Sequence, residues 1–306
     1  MTLVSYLTLP AGSDKDGDGR PETPQPMVLW VHGGPWARDS YGYNSIHQWL
    51  ANRGYAVLSV NYRGSTGFGK KFVNAAVREF SGKMHDDLID GVEWAVENGI
   101  AIRDKVAIGG GSYGGYATLI GVSFTPETFA CGVDIVGPSS LVTLVESFPE
   151  YWKPFLEGTW FKYVGDPADP EDRQDMLDRS AISRVDDIKV PLLIGQGEND
   201  PRVTKLESDQ LVEAMASKGL PVTYVNFPDE GHGFARPENR LAFFAVMEGF
   251  LAECLGGRAE PIGDAFEGST VQILPAAEYV DGLAEAAAAH EAAQPATEPE
   301  EPETAP

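Results

Sequence analysis

The sequence has little of what cross-links or anchors a protein. It contains two cysteines, Cys131 and Cys254, in 306 residues. Cys131 lies in an apolar run, which predicts a small buried side chain; a disulfide with Cys254 is possible, but nothing in the sequence supports it. No apolar run approaches the roughly 18 residues of a membrane span, and no charged-then-apolar leader opens the chain. We therefore expect a soluble protein, cytoplasmic as written, or secreted or periplasmic if the chain is a fragment.

Positive charge is also scarce. Lys and Arg number 23 against 46 Asp and Glu, so the formal net charge is −23. A surface of this charge repels the phosphates of nucleic acid and the anionic leaflet of a membrane. Neither nucleic acid nor a membrane is therefore expected as a partner, and the oligomeric state is left open.

The charge is unevenly distributed along the chain. After Arg258 there is no Lys or Arg, while acidic residues continue to Glu303. The end of the chain is rich in Pro, Ala and Glu, a composition typical of disorder. Residues 277–293 could form a transient helix but have too few large apolar residues for a domain. We predict one folded domain over residues 1–257 and a disordered acidic tail over residues 258–306.

Short apolar runs alternate with helical patterns through the predicted domain. The seven predicted strands are LVSYLTL, MVLWV, YAVLSVNY, KVAIGG, FACGVDIV, VPLLIGQ and VTYVNF. Apolar residues at helical spacing lie between several of these runs. The later strands are nearly continuous in apolar residues, as expected when helices cover both faces of a sheet. The pattern predicts a doubly wound α/β fold with a mostly parallel sheet.

One serine stands where a predicted strand passes directly into a predicted helix, in KVAIGGGSYGGYATLIG. Residues 110–114, GGSYG, match the G-x-S-x-G nucleophile elbow of α/β-hydrolases, with Ser112 as the nucleophile. Glycines two residues to either side avoid collisions where strand and helix meet at a sharp turn. A phosphate-binding glycine loop is the alternative, but neither G-x-G-x-x-G nor a Gly-Lys-Ser/Thr ending is present.

A serine nucleophile needs a histidine base, which a carboxylate orients. The chain order in this fold is Ser, then Asp or Glu, then His. Two histidines follow Ser112, and His290 lies in the acidic tail. The base is therefore predicted to be His232, in PDEGHGF.

The orienting acid is predicted to be Asp200. It directly follows the run VPLLIGQGEN, at the strand edge where sites of open α/β sheets lie. Asp186 and Asp187 precede that strand, and Asp229 is only three residues before His232. A solvated loop acid is the alternative interpretation of Asp200.

A pair of glycines in HGGPW, residues 32–36, follows the early strand MVLWV. Backbone N–H groups that face the carbonyl oxygen of a substrate stabilise the charge that develops there. The N–H groups of Gly34 and Tyr113, the residue after the nucleophile, are the predicted donors of an oxyanion hole. Without Ser112, HGGPW would indicate only a tight loop.

Five motifs in order, HGGPW, NYRGSTGFG, GGSYGGYAT, GENDPRV and DEGHGF, resemble the catalytic domain of the prolyl oligopeptidase family of serine peptidases, peptidase family S9. The acylaminoacyl-peptidase and dipeptidyl-peptidase branches are the most similar, over about residues 3–255. The resemblance implies an α/β-hydrolase fold and a cofactor-free serine peptidase of short peptides, with side activity on esters and arylamides. It carries over the triad and the oxyanion hole, and it implies that Arg202 holds a substrate carbonyl; an ordinary surface cation is the alternative. In some members a tyrosine hydroxyl at the position of His32 joins the oxyanion hole, so backbone donors are expected to dominate here.

Members of this family usually carry a β-propeller before the hydrolase domain. This chain begins at the first predicted hydrolase strand, so we expect either a lone catalytic domain or a fragment, and exopeptidase specificity is not carried over. A carboxylesterase with the same triad is the alternative function, because an open site favours the easier hydrolysis of esters. A non-catalytic module on this scaffold is disfavoured by the intact triad.

Two further segments suggest accessory features. VESFPEYWKPFLEGTWFKYVG interrupts the strand–helix rhythm before Asp200. Its aromatic residues are candidates to line an apolar substrate pocket, with ordinary packing as the alternative: Trp152, Phe155, Trp160 and Tyr163.

DKDGDG, residues 14–19, matches the first half of a calcium-binding loop. Gln25 stands where such a loop has a bidentate Glu, so a polar hairpin loop is the favoured interpretation and no metal site is assigned.

Overall fold

The computed structural model describes residues 1–274 and 279–293, and its core is one sheet of eight strands. All seven predicted strands are present, with an eighth that was not predicted. The strands are β1 Ser5–Thr8, β2 Gln25–Val31, β3 Ala56–Val60, β4 Ala101–Gly111, β5 Cys131–Ile135, β6 Leu192–Gly197, β7 Val222–Phe227 and β8 Gln272–Leu274.

Helices connect the successive strands from β2 onward, as the helical patterns between the predicted strands indicated. Between β5 and β6 lies a group of short helices, where the sequence indicated an interruption of the rhythm. The α-helices are α1 Ser45–Asn52, α2 Lys70–Asn74, α3 Lys83–Glu97, α4 Tyr113–Phe124, α5 Leu141–Glu146, α6 Trp160–Tyr163, α7 Pro170–Asp178, α8 Lys205–Ser217, α9 Pro237–Leu255 and α10 Leu283–Ala293, with 3-10 helices at Glu150–Phe155 and Ala181–Asp187.

The strands lie in the order β1-β3-β2-β4-β5-β6-β7-β8. The two outermost pairs, β1 with β3 and β7 with β8, are antiparallel, and the pairs between them are parallel. The predicted mostly parallel sheet is confirmed. Because the parallel strands end at one edge, the loops that follow β2, β4, β6 and β7 meet there.

Alternate residues of each strand pack on opposite faces of the sheet, as the twofold repeat of a strand requires. In β2, Leu29 and Val31 join the core formed with α3, α4 and α8. Val28 and Trp30 join the core formed with α1 and α9. Both faces are therefore covered, which explains why the later strands are nearly continuous in apolar residues.

Cys131 is buried as predicted, but it is not a free thiol. It forms a disulfide with Cys254, which joins β5 to the C-terminal turn of α9 across 123 residues of sequence. The strand and the helix are far apart in the chain, so only their packing brings the two sulfurs together.

The sheet continues beyond the predicted boundary at residue 257. Ile262, Phe266 and Val271 are buried against the α9 face of the domain, and β8 extends the sheet at β7. These residues pack on the domain because α9 is apolar on more than one side, and the sheet covers only one of them. It packs against the sheet on one side, while Val280 and Leu283 help to cover it on another.

The predicted disorder of residues 294–306 lies outside the described residues. None of the described helices is both long and apolar enough to cross a bilayer.

Candidate active site

Ser112 lies on the sharp turn between β4 and α4, with a backbone φ of 59°. A positive φ is unfavourable for a residue with a side chain and marks strain held by the surroundings. The Ser112 N–H donates to the carbonyl oxygen of Ile135, 2.8 Å away, at the end of the neighbouring strand. A Cβ atom on either Gly110 or Gly114 would collide with the carbonyl oxygen of Val31. Glycine at both positions therefore allows the turn to pack directly against β2.

A buried acid lies beneath this turn. Asp134 of β5 is fully buried, and its Oδ1 accepts the N–H of Gly137 at 2.8 Å. Burial raises the pKa of Asp134 well above its usual value.

Asp200 and His232 come together at the same edge of the sheet. The Nδ1 atom of His232 lies 2.7 Å from Oδ2 of Asp200. The other carboxylate oxygen accepts the N–H groups of Arg202 and Val203, at 2.8 and 3.0 Å. The Asp200 side chain has no exposed surface, whereas that of His232 is 17% exposed. The carboxylate is therefore fixed on one side by backbone donors and faces the imidazole on the other.

Hydrogen bonds tie the loops that carry these two residues to each other. Asn199 donates its N–H to the carbonyl of Glu230 at 2.9 Å and its side-chain amide to Pro228 at 2.6 Å. The buried carboxylate of Glu230 accepts the N–H groups of Ala235 and Arg236, at 2.8 and 2.9 Å. The imidazole is thus carried on a loop that is braced on both sides.

Asp229, the alternative acid, bonds to other partners. It forms an ion pair with Arg236 and accepts from the Asn239 amide at 3.0 Å. Its carboxylate is occupied away from the imidazole of His232.

A cavity of about 350 Å³ opens in front of Ser112 and His232. The predicted nucleophile, base, oxyanion donors and Arg202 all line it, as do two of the four aromatic candidates, and Asp200 lies behind His232. The lining consists of Gly34, Phe80, Ser112, Tyr113, Tyr116, Pro138, Leu141, Leu144, Phe148, Trp152, Trp160, Arg202, Val203 and His232.

The segment between β5 and β6 supplies much of the apolar wall. The Phe148 ring lies 5.0 Å from Trp152 and 4.8 Å from Trp160, centroid to centroid. Two other aromatic candidates do not line the cavity. Phe155 is 70% exposed, and the Tyr163 ring packs 5.1 Å from that of Trp36.

Sequence reasoning missed several lining residues. Leu141, Leu144 and Phe148 follow β5 at helical spacing, at the strand edge where sites lie, and this signal was available. Phe80 precedes α3 and reaches the cavity only because that connection packs against Tyr113, whose ring lies 5.0 Å away. No local pattern indicates that contact.

The carboxylates of Asp14, Asp16 and Asp18 lie within 4.8 Å of one another at an exposed turn. Both oxygens of Asp14 accept backbone N–H groups of the same turn, from Gly17 at 2.8 Å and Gly19 at 3.0 Å. The turn is therefore closed by its own hydrogen bonds.

A sequence model of the prolyl oligopeptidase family matches residues 41–258. The chain belongs to this family. The match covers most of the chain, and the resemblance indicated by the five motifs is confirmed. The α/β-hydrolase fold and the predicted class of enzyme, a serine peptidase, are those of the family.

Relatives within the family are similar over nearly the whole chain. Dipeptidyl aminopeptidase BIII of Pseudoxanthomonas mexicana is 64% identical over 94% of this chain and 42% of its own length. Dipeptidyl peptidase family member 6 of Caenorhabditis elegans is 50% identical over 85% of this chain and 37% of its own. The chain therefore spans about two fifths of the length of these relatives.

The fold is also similar to that of a puromycin-hydrolyzing peptidase from Mycobacterium tuberculosis. That structure superposes with a TM-score of 0.75 at 29% identity, over 85% of this chain and 38% of the other. The eight-stranded sheet is thus the family's hydrolase fold.

Proposed function

We propose that this chain is the catalytic unit of a serine peptidase that cleaves short peptides or aminoacyl amides through an acyl-enzyme. One observation carries the proposal: Ser112 and His232 line the same cavity, while His232 Nδ1 lies 2.7 Å from the buried carboxylate of Asp200. A serine at a strained strand–helix turn, an imidazole and an orienting carboxylate are the three parts of a hydrolytic triad. The names of the relatives, which are aminopeptidases and peptidases, support the amide bond as the target.

In the proposed reaction, the Ser112 hydroxyl attacks the substrate carbonyl and its proton passes to Nε2 of His232. Asp200 holds Nδ1–H and stabilises the imidazolium that forms. The N–H groups of Gly34 and Tyr113 stabilise the oxyanion. The imidazolium then returns the proton to the leaving amine, and water releases the acyl group by the same steps in reverse order.

The donors of the oxyanion hole fit their elements. Tyr113 is the first residue of α4, and the N–H groups of a helix's first turn have no acceptor within the helix. Gly34 has a φ of 127°, a conformation that favours glycine, and it lines the cavity. Both features support the proposal that the oxyanion hole is formed by two backbone N–H groups.

The cavity also suggests which residue the acyl group carries. Among the described residues that line it, Arg202 is the one permanently charged side chain, and the wall is aromatic and aliphatic. We therefore propose a large apolar side chain on the residue that donates the scissile carbonyl. Arg202, exposed at the mouth, binds a carbonyl oxygen of the substrate.

The test uses the full chain with a phenylalanyl p-nitroanilide and a p-nitrophenyl ester of an apolar acid. We expect turnover of both, loss of both in Ser112→Ala, and labelling of Ser112 by a fluorophosphonate. Ser123→Ala removes a buried hydroxyl of the same helix, which bonds to Leu119, and is the matched control. Turnover of the ester alone would support a carboxylesterase instead, and an unlabelled, inert chain would overturn the proposal.

A further inference from the structure

His32 is the first residue of the HGGPW loop. It is not one of the described residues that line the cavity. Its Nδ1 atom lies 2.8 Å from the carbonyl oxygen of Gly33, and Nε2 lies 2.9 Å from the hydroxyl of Ser65. The side chain therefore binds the loop's own backbone from behind.

The bond to Gly33 acts on the neighbouring N–H group. The carbonyl of Gly33 and the N–H of Gly34 belong to one planar peptide group, in which they point in opposite directions. A donor that holds the oxygen therefore also fixes the direction of the Gly34 N–H. A hydrogen bond to the carbonyl further polarises the peptide and strengthens the N–H as a donor.

The bond persists in either protonation state of the ring. The Gly33 oxygen can only accept, so Nδ1 must carry a proton. Burial lowers the pKa of His32, which keeps the ring neutral near pH 7 and lets Nε2 accept from the Ser65 hydroxyl. In a protonated ring, Nε2–H would donate to Ser65, whose hydroxyl would donate to the Tyr62 carbonyl, 2.7 Å away.

Aromatic stacking holds the ring in place. The rings of His32 and Tyr62 stack with centroids 4.4 Å apart and planes 15° apart. Tyr62 is fully buried, and its hydroxyl donates to the His32 carbonyl at 2.9 Å. On its other side Tyr62 stacks on Tyr113, with centroids 5.1 Å apart. The stack thus links the loop of Gly34 to the residue that offers the second oxyanion donor.

We propose that His32 is a positioning residue, which holds the Gly33–Gly34 peptide so that the Gly34 N–H faces the developing oxyanion. The inference rests on the proposed function of this site and adds a side chain to it. His32 acts through the backbone and does not touch the substrate.

Two variants of His32, each with a side-chain amide, distinguish the role of Nδ1 from that of Nε2. The Asn amide of His32→Asn reaches the place of Nδ1 and can still donate to Gly33. The longer side chain of His32→Gln reaches the place of Nε2 and can serve only Ser65. Removal of an oxyanion donor costs about 100- to 1,000-fold in kcat, so a misdirected donor costs less. We expect His32→Gln to lower kcat about ten- to hundredfold with KM within about twofold, and His32→Asn to recover most of kcat.

A peptide aldehyde gives a readout that a general loss of packing would not move. It forms a hemiacetal oxyanion with Ser112, whereas the corresponding alcohol binds without one. The affinity of His32→Gln for the aldehyde should fall in parallel with kcat, and its affinity for the alcohol should not change. Should His32→Gln fail to fold, His32→Phe is the second variant without a donor.

The matched control is His47→Gln, because His47 is a buried histidine of α1 outside the cavity. It should keep the parental kcat. Equal kcat in His32→Asn and His32→Gln, or parental kcat in His32→Gln, would overturn the inference while an active parent upholds the proposed function. A parent no more active than Ser112→Ala would overturn the proposed function and this inference with it.

Discussion

The Asp200 carboxylate is completely buried, and its Oδ2 lies 2.7 Å from Nδ1 of His232. An acid buried in this way can hold the imidazole in one tautomer and stabilise its charged form. Since Oδ1 is occupied by two backbone N–H groups, the direction of Oδ2 is fixed before a substrate arrives.

Asp200→Asn should therefore lower kcat by about 10³–10⁴-fold, because the amide can donate to Nδ1 and select the wrong tautomer. The measurement is steady-state turnover of an aminoacyl anilide, with circular dichroism to verify folding. Asp229→Asn is the control, since Asp229 pairs with Arg236 instead. If Asp229→Asn lowered kcat more than Asp200→Asn, the assignment of Asp200 as the orienting acid would be wrong.

The apolar wall predicts how selectivity changes with cavity size. Leu144 is buried in the lining, and Leu144→Trp would fill part of the space for an aromatic side chain. Pocket contacts of this kind change specificity by about 10- to 200-fold, so the ratio of kcat/KM for phenylalanyl over alanyl anilides should fall at least about tenfold. Phe155→Ala, at an exposed aromatic of the same segment, should leave the ratio unchanged. An unchanged ratio in Leu144→Trp would place the substrate side chain elsewhere.

The disulfide should contribute to stability because it joins residues 123 apart and so restricts the unfolded chain. Replacing Cys131 and Cys254 by Ala should lower the free energy of unfolding by about 2–5 kcal/mol, measured by urea denaturation. Reduction of the parent should give a comparable loss and should not affect the double variant. A parent insensitive to reductant while unfolding would argue against the bond.

Residues beyond 257 should be needed for the stability of the domain. A chain that ends at residue 257 loses five buried apolar side chains, each worth roughly 1.5–3 kcal/mol on full burial: Ile262, Phe266, Val271, Val280 and Leu283. We expect its free energy of unfolding to fall by several kcal/mol. The control chain ends at residue 293 and lacks only residues that their composition predicts to be disordered. Equal stability of the two chains would restore the boundary at residue 257.

Acid should destabilise the protein through His85. Burial lowers its pKa to about 4 in the folded state, from 6.5 in the absence of burial. Below pH 6.5 the unfolded chain binds a proton that the folded chain excludes, so stability falls as the pH falls from about 6.5 to 4. A pKa lowered from 6.5 to about 4 corresponds to a loss of about 3 kcal/mol in the free energy of unfolding.

His85→Gln tests this dependence, because Gln can keep the bond from the ring Nε2 to Thr125 without titrating. Between pH 6.5 and 4 the variant should lose about 3 kcal/mol less than the parent. At pH 8 the imidazole is neutral in the folded and the unfolded chain. The difference in the free energy of unfolding between variant and parent at this pH is therefore the reference. Parallel curves across the whole range would contradict the assignment.

Much of the site was predictable because its chemistry constrains the local sequence. A serine at a strand–helix turn needs glycines on both sides, which leaves a readable pattern around Ser112. The order of motifs then selected His232 by elimination. Asp200 was selected because it directly follows a strand. The constraints around Ser112 and Asp200 act within a few residues of chain, whereas His232 was found from the chain order of the triad.

Contacts between distant segments left no such pattern. The sulfurs of Cys131 and Cys254 meet because β5 packs under α9, and Phe80 reaches the cavity through a connection far from Ser112 in sequence. The signal for β8 was indirect: α9 is apolar on a side that the predicted sheet did not cover.

The sequence by itself determined the α/β alternation, the nucleophile turn and the order of the candidate triad, because each follows from steric and chemical needs of adjacent residues. Tertiary structure alone decided which aromatic side chains enclose the cavity, how the cysteines pair and where the His32 ring lies relative to Gly33. The physical reason is that these depend on packing between chain segments, and a side chain's neighbours across the core are not encoded in its neighbours along the chain.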